Sequence, residues 1–270
     1  SNMEMFLSAV DRGAEEVAAS DFPQVRLFLV GKASAKEPRR EVSGAWRVCG
    51  PASTKYFSAV AYLFGRELHK ALKAPVGIVS SAVSGTAAYF WTPPKAIEED
   101  PDLKPVRDWH LDRLLKLPQV VKWYEGRVAA WEAEAKKARE QGLTVPQPPA
   151  RPGPPPPLGA LYNGMIAPLA PYALRGVAWY QGESDVGSTR NYFHLLRALI
   201  QSWRKTWGQG DLPFLIVQLP RIGGEEASPD ATSGWAEVRE AQRRMLELPN
   251  TGLVVTIDTG GDLHPTAKQV

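Results

Sequence analysis

Residues 176–182 of the chain read GVAWYQG, an apolar run that ends in an amide side chain and a glycine. A short run of this kind is typical of a buried strand that leads directly into a loop. Similar runs lie at residues 25–30, 75–81, 213–219 and 252–258, and helical periodicity marks residues 56–72, 192–207 and 235–246. This alternation predicts an α/β fold, a three-layer sandwich with a central, mainly parallel sheet.

Ligands of such sheets bind at the carboxyl ends of the strands, so the polar residues that follow the strands are the candidate site residues. Residues 84–86 (SGT) contain a glycine whose turn can aim backbone N–H groups at one point, as an oxyanion hole requires. Residues 181–185 (QGESD) offer an amide donor in Gln181. Each segment also has a purely structural interpretation. Residues 84–86 can be only a tight turn, and residues 181–185 can be a turn that caps the following helix.

A third candidate lies near the end of the chain, where residues 262–265 read DLHP. The pKa of histidine lies close to neutrality, which suits His264 to general base catalysis. Asp262 stands two residues earlier and could hold the imidazole in one tautomer and stabilise its cation. The same spacing also fits a surface turn that happens to contain a histidine.

Residues 100–158 interrupt the alternation of strands and helices. Apolar residues recur there in steps of three and four, as expected for one face of an amphipathic helix that stops near Gly142. Residues 146–157 are rich in proline, which favours an extended and semi-rigid chain. We interpret this region as a helical, proline-rich insertion, either a surface arm or a wall that shapes the substrate site.

The composition of the chain indicates which classes of binding partner and cofactor are not expected. A net charge of +3 is too small to predict nucleic-acid binding, and the single cysteine, Cys49, excludes an internal disulfide. No apolar run reaches the roughly 18–20 residues of a membrane span, and the four histidines lack the spacing of a zinc site. The sequence therefore predicts no cofactor, no metal and no membrane partner. Nine Trp and eight Tyr suit either a sugar-binding surface or a packed core.

The order of the motifs along the chain resembles the SGNH-hydrolase esterases of the sialate O-acetylesterase type. The matching segments are residues 1–5 (SNMEM), 80–91 (SSAVSGTAAYFW), 161–169 (LYNGMIAPL), 177–185 (VAWYQGESD), 235–242 (WAEVREAQ) and 262–265 (DLHP). The first of them is similar to the nucleophile block of that family, G-Q-S-N-M-E, without its first two residues. The resemblance spans essentially the whole chain and implies an SGNH, flavodoxin-like fold.

The resemblance also implies an activity: removal of O-acetyl groups from sugars, either sialic acid or an acetylated polysaccharide, through an acyl-enzyme. Ser1 would be the nucleophile, His264 its base and Asp262 the residue that orients the base. The oxyanion donors would be the backbone N–H groups of Ser1 and Gly85 and the side chain of Gln181. The expected substrate contacts are Tyr89, Trp91, Trp179 and Glu183. Relatives are often exported, which is also expected here, and the oligomeric state is open.

Some features depart from the family pattern. Residues 83–86 read VSGT where many relatives carry W-G-G-T, which changes the expected shape of the acyl pocket. Asp185 stands where many relatives have asparagine, so a negative charge lies close to the site if its side chain points inward. In the family a strand precedes the nucleophile and a helix follows the H-P block. Residues 1–270 are therefore interpreted as one esterase domain truncated at both ends, from which little activity is expected.

Three other interpretations stay open at this point. The dipeptide Ser1-Asn2 can be a cloning remnant. A serine at the chain terminus can also act as the nucleophile of an amidohydrolase, with its own α-amine as the base. Finally, the aromatic residues and the insertion can belong to a catalytically silent carbohydrate-binding module.

Overall fold

The structure is a computed structural model of the chain, and it describes residues 2–170, 172–221 and 234–257. The chain forms two compact units, Ser1–Leu103 together with Pro157–Val270, and Lys104–Pro156. The larger unit holds all of the described strands.

The first sheet consists of three strands in the order β2-β1-β3. Strand β1 (Phe22–Leu29) pairs in parallel with β3 (Val76–Ser80) and antiparallel with β2 (Trp46–Cys49). The strand β2 is not predicted from the sequence. It lies at the sheet edge with most of its residues exposed, so it lacks the apolar run that marks a buried strand.

The second sheet is wholly parallel, with the order β4-β5-β6. Its strands are β4 (Val177–Trp179), β5 (Phe214–Val217) and β6 (Thr251–Val254). Parallel pairing in both sheets and the helices between the strands confirm the predicted α/β class. The predicted central sheet is present as two three-stranded sheets in the described part of the chain.

Helices connect the strands, as the alternating sequence pattern predicts. The α-helices are α1 (Gly13–Ala18), α2 (Pro51–Thr54), α3 (Ala59–Leu72), α4 (Pro94–Glu99), α5 (Lys104–Glu140), α6 (Thr189–Trp207) and α7 (Gly234–Arg244). The shorter turns are Asn2–Glu4, Leu7–Ala9, Ala88–Phe90, Pro101–Leu103, Tyr162–Ile166, Ala167–Leu169, Glu183–Ser188 and Met245–Glu247.

Helix α3 packs on the first sheet through a glycine. The Ser58 hydroxyl caps the helix by accepting a hydrogen bond from Ala61 N–H at 3.1 Å. A Cβ atom at Gly65 would lie 2.5 Å from the side chain of Ile78 on β3, so only glycine lets the helix approach this closely. The resulting core contains the buried side chains of Leu27 and Tyr62.

Helix α6 forms the core of the second sheet. Leu196, Leu199 and Ile200 are fully buried, and the Trp203 ring meets Trp179 edge to face with centroids 6.1 Å apart. The buried guanidinium of Arg204 donates hydrogen bonds to backbone carbonyls of the strand connections. These bonds replace the hydration that the charge loses on burial. The helix is therefore held against the sheet by both apolar packing and a buried cation.

The segment LYNGMIAPL at residues 161–169 ties down the long connection between β1 and β2. The side-chain amide of Asn163 donates a hydrogen bond to Lys36 O at 2.8 Å, and the backbone carbonyl of Asn163 accepts one from Arg39 N–H at 2.9 Å. Gly164 lies directly against the backbone of Ala33, where a Cβ atom would come within 2.2 Å of the carbonyl oxygen. This contact explains why a glycine stands in the segment.

Gly164→Ala is therefore expected to lower the free energy of unfolding by about 2 kcal/mol, the range of an overpacked core. The added methyl group cannot move past a backbone carbonyl without shifting the chain. Gly50→Ala is the matched control, because no atom lies within 4 Å of its ideal Cβ position. Urea unfolding of both variants provides the comparison. Equal midpoints for Gly164→Ala and the control would contradict the close contact.

The smaller unit is a long helix with a proline-rich return. Helix α5 begins at Lys104, earlier than the apolar spacing indicates, and continues through Pro118 to Glu140. The following Gly142 has φ +69°, a conformation that favours glycine and ends the helix. The Trp131 indole N–H donates to Pro146 O at 2.8 Å and so fastens the return segment to the helix.

Candidate active site

Ser1, Asp262 and His264, the predicted catalytic residues, lie outside the described residues. At one end the described residues start directly after Ser1, with the turn Asn2–Glu4, and at the other they reach Ile257, just beyond β6 and ahead of Asp262. The surroundings of the site are therefore built from the loops at the carboxyl ends of the strands.

The loops that follow β3 and β4 meet, as the parallel topology predicts. The side-chain N–H₂ of Gln181 donates to Thr86 O at 3.1 Å and to Asp185 Oδ2 at 2.6 Å. The same carboxylate oxygen accepts from Ala88 N–H at 2.9 Å. Residues predicted separately, on the basis of two different strands, thus belong to one hydrogen-bonded network.

Gly85 lies at an exposed turn of the loop after β3. Its φ of +71° lies in the left-handed region that favours glycine, and no atom lies within 4 Å of the position where a Cβ would be. The Thr86 hydroxyl donates to Val83 O at 2.6 Å and accepts from the Trp91 indole N–H at 3.0 Å. The turn is closed by its own side chains while Gly85 faces open space.

Gln181 is buried and held by two helices. Its backbone carbonyl accepts from Tyr192 Oη on α6 and from Gln242 Nε2 on α7, each at 2.9 Å. Gln242 Oε1 in turn accepts from Leu219 N–H at 2.9 Å. Both amide hydrogens of Gln181 are engaged by Thr86 and Asp185 in this arrangement. Its role as an oxyanion donor stays a prediction, and it requires one of these bonds to open.

Asp185 points into the protein, with only 2% of its surface exposed. Burial raises the pKa of Asp185 to about 6, opposed by its hydrogen bonds from Gln181 and Ala88 and aided by the charge of Glu183. The pKa of the neighbouring Tyr192 is raised as well, first by burial and then by the charge of Asp185. The residue that departs from the family pattern therefore places an ionisable group inside the network.

Glu4 joins the start of the chain to the Gly85 turn. Its Oε2 accepts a hydrogen bond from Ser84 N–H, and its Oε1 forms an ion pair with Lys32. Burial opposes ionisation of Glu4, but the hydrogen bonds from Lys32 and the Ser84 backbone outweigh it and lower the pKa of Glu4. Met5 O also accepts from Ala59 N–H at 2.8 Å, which fixes this segment on helix α3.

The predicted substrate contacts divide into two groups. Trp91 and Trp179 are buried, with 4% and 7% of their surfaces exposed, and they pack against other parts of the larger unit. Tyr89 and Glu183 are half-buried and keep accessible surface. Sugar binding by these four residues stays a prediction, and the structure gives the two tryptophans a packing role.

Gln242 is a functional residue that the sequence does not single out, although it lies in the matching segment 235–242. Val238, Ala241 and Met245 form the buried stripe of α7 and the adjoining turn, and Gln242 lies on that stripe. A polar side chain among apolar ones at helical spacing is the signal that could have identified it. Glu4 lies in the matching segment 1–5 but has no assigned role there, and Tyr192 carries no comparable local signal.

Gln242→Met is expected to lower the free energy of unfolding by about 2–3 kcal/mol. The substitution leaves the buried Leu219 N–H without its acceptor and removes one of the hydrogen bonds to Gln181 O. Tyr192→Phe is the milder comparison, because Gln181 O keeps its bond from Gln242. We expect a cost of about 1 kcal/mol for that variant. Denaturant unfolding measures both, and a Gln242→Met cost no greater than that of Tyr192→Phe would argue against the network.

Two classes of site find no support in the described residues. No group of three or more His, Cys, Asp or Glu side chains is arranged to hold a metal ion in the described part of the chain. None of the described helices is long and apolar enough to span a membrane.

Comparison with known proteins gives consistent matches. The family model of carbohydrate esterases described as sialic acid-specific acetylesterase matches residues 153–269. Sialate O-acetylesterase of Mus musculus is 28% identical, with the match covering 100% of this chain and 52% of the mouse protein. The Homo sapiens protein of the same name is also 28% identical, over 100% of this chain and 49% of its own length.

A solved structure agrees with these matches. A carbohydrate acetylesterase from Xanthomonas citri has 30% sequence identity and a TM-score of 0.73, covering 100% of this chain and 51% of that one. The chain thus spans about half the length of the relatives that it matches. Motif order, family model and shared fold point the same way, and the chain is similar to the sialate O-acetylesterase family of carbohydrate esterases.

Proposed function

We propose that the protein is a serine esterase that removes O-acetyl groups from sugars, with Ser1 as nucleophile, His264 as base and Asp262 orienting that base. The proposal rests above all on one contact. The Glu4 carboxylate accepts a hydrogen bond from Ser84 N–H, which brings the turn that follows Ser1 in the chain to the Gly85 turn. A serine esterase needs a backbone oxyanion donor close to its nucleophile, and this contact supports such an arrangement.

The exposure of Gly85 supports its role as that donor. Within the part of the chain that the structure describes, its N–H donates to no other protein group, and the turn faces open space. A preorganised N–H of this kind can bind the charge that develops on the carbonyl oxygen in the transition state. Loss of one such donor costs on the order of 10²–10³ in turnover in comparable enzymes.

The proposed reaction proceeds in two steps. His264 takes the proton of the Ser1 hydroxyl as its oxygen attacks the acetyl carbonyl, and the imidazolium then returns the proton to the departing sugar oxygen. The acetyl-enzyme is next attacked by water, again with His264 as base, which releases acetate and restores the Ser1 hydroxyl. Asp262 stabilises the imidazolium in both steps.

Acetylated sugars are the proposed substrate class because of the relatives. The mammalian relatives are named sialate O-acetylesterases, and the Xanthomonas citri structure is that of a carbohydrate acetylesterase. Tyr89 and Glu183 keep accessible surface next to the network and are the proposed contacts to the sugar. An aromatic ring and a carboxylate are suited to the apolar face and the hydroxyl groups of a sugar.

Acetate release tests the proposal. The protein that carries this chain is assayed with p-nitrophenyl acetate and with O-acetylated sialic acid, beside its Ser1→Ala and His264→Ala variants. Hydrolysis by the wild type and its loss in both variants is the expected result. Hydrolysis that survives both substitutions would exclude the catalytic triad. Activity that needs Ser1 but not His264 would indicate an N-terminal nucleophile, and sugar binding without hydrolysis would indicate a binding module.

A further inference from the structure

The loop of residues 83–88, called the Gly85 loop below, has an exposed glycine at its turn and few internal constraints. Its internal side-chain bond joins the Thr86 hydroxyl to Val83 O. The nearby Trp91 indole donates to the same hydroxyl. The other described side-chain anchors, Glu4, Gln181 and Asp185, come from segments far away in the sequence, and two of them are carboxylates. An oxyanion donor must lie within about 2.7–3.1 Å of the developing charge, so these anchors matter for any reaction at Gly85.

The first anchor holds the loop before the glycine. Glu4 Oε2 accepts from Ser84 N–H across 80 positions in the sequence. Lys32 pairs with the other oxygen of the same carboxylate, and 22% of the Glu4 side chain is exposed. Lys32 balances a negative charge that would otherwise lie unopposed beside a developing oxyanion. A hydrogen bond to an ionised acceptor is also stronger than one between neutral groups.

The second anchor holds the loop after the glycine. Asp185 Oδ2 accepts from Ala88 N–H at 2.9 Å and from Gln181 Nε2 at 2.6 Å. The second hydrogen of that Gln181 amide reaches Thr86 O at 3.1 Å. Asp185 thus holds the loop directly through Ala88 and indirectly through Gln181, from a position that is fully buried.

We propose that Glu4 and Asp185 are positioning residues of the esterase site, and that together they hold the Gly85 loop in the conformation that presents Gly85 N–H to the substrate. This inference rests on the proposed esterase function. The carboxylates do not touch the reacting atoms. They act through the backbone on each side of Gly85, where a displacement of about 1 Å can cost on the order of 10² in rate.

Amide hydrogen exchange tests the anchors without reference to activity. In Asp185→Ala, exchange at Ala88 N–H is expected to be about 10–100 times faster than in the wild type, since one hydrogen bond to a charged group is lost. Glu4→Ala is expected to have the same effect at Ser84 N–H. Asp185→Asn should keep wild-type protection at Ala88, because a single oxygen accepts both bonds. Wild-type exchange rates in both alanine variants would overturn the inference.

Kinetics with p-nitrophenyl acetate test the consequence. We expect Glu4→Ala and Asp185→Ala to lower kcat by about 10–100-fold with little change in KM, because a misplaced donor weakens transition-state binding. Asp185→Asn should restore kcat to within about threefold of the wild type. Glu16→Ala is the matched control, since Glu16 also forms an ion pair, with Arg66, but touches no residue of the loop. A wild-type kcat in Glu4→Ala and Asp185→Ala would refute the positioning role.

The outcomes separate the two proposals. If Ser1→Ala retains full hydrolysis, the proposed esterase mechanism fails, whatever the exchange rates show. If Ser1→Ala is inactive but the loop amides of the alanine variants exchange as in the wild type, the mechanism stands and the positioning role fails. If circular dichroism shows that Asp185→Ala does not fold, the test uses the kcat values of Glu4→Ala and Asp185→Asn instead. Unchanged kcat in Glu4→Ala, or a large loss of kcat in folded Asp185→Asn, would then count against the inference.

Discussion

Replacing Ser1 with alanine is expected to lower kcat for acetyl ester hydrolysis on the order of 10⁴–10⁶-fold, the range found when a triad nucleophile is removed. The substitution removes the oxygen atom that forms the acyl-enzyme, so the reaction can no longer pass through that intermediate. KM should change little, because the hydroxyl contributes mainly in the transition state.

The same loss is expected for His264→Ala, and the double variant should be no worse than either single one. Residues that act as a unit are strongly non-additive, because removal of one already disables the other. Ser8→Ala is the control, since Ser8 is an exposed serine near the same end of the chain. Independent, multiplying losses for Ser1→Ala and His264→Ala would speak against a shared catalytic unit.

Asp185→Asn is expected to stabilise the protein in a pH-dependent manner. The pKa of Asp185 is raised from 3.8 to about 6 in the folded protein. The folded state therefore binds this proton more tightly than the unfolded state does. The stability that this provides is fully present below pH 3.8 and is lost as the pH rises through about 6.

Asparagine does not titrate, so the variant avoids the cost of burying the charge. Relative to the wild type, its free energy of unfolding should rise by up to about 3 kcal/mol between about pH 4 and pH 8. Among the described groups around Asp185, the charge of Glu183 adds to the rise of its pKa, and the hydrogen bonds from Gln181 and Ala88 oppose it. Tyr192 is neutral throughout this range. Urea unfolding at a series of pH values measures the difference.

Glu240→Gln serves as the control for this experiment. Glu240 is an exposed carboxylate paired with Arg243 on α7, and such pairs contribute little to stability. Its pH profile should parallel that of the wild type to within about 0.5 kcal/mol. If the Asp185→Asn profile also runs parallel, then Asp185 ionises in the folded protein as easily as in the unfolded one.

Local sequence patterns were sufficient for most elements of the fold. The run GVAWYQ predicts β4, and the spacing of Phe57, Val60, Phe64 and Leu68 predicts a helix that the structure places at Ala59–Leu72. These elements bury a face with a fixed period, so the period appears in the sequence. The edge strand β2 could not be predicted in this way, because it buries few side chains and its sequence therefore lacks such a period.

The order of motifs was also sufficient to recognise the family that the chain resembles, because each motif is short and contiguous. It did not show which residues pack and which are accessible. Trp91 and Trp179 were predicted to contact the sugar, and the structure buries both of them against other parts of the larger unit. Aromatic residues are suited both to a packed core and to a sugar-binding surface, so the residue type alone does not distinguish the two roles.

By itself, the sequence determined the α/β class, the parallel strands and the loops in which Gly85, Gln181 and Glu183 lie. Only the tertiary structure decided that Glu4 and Asp185 hold the two ends of the Gly85 loop, and that Asp185 points inward. The contact from Glu4 spans 80 positions and that from Asp185 spans 97. No local periodicity encodes such contacts, because they form only when the folded chain brings segments that are far apart in the sequence next to the loop after β3.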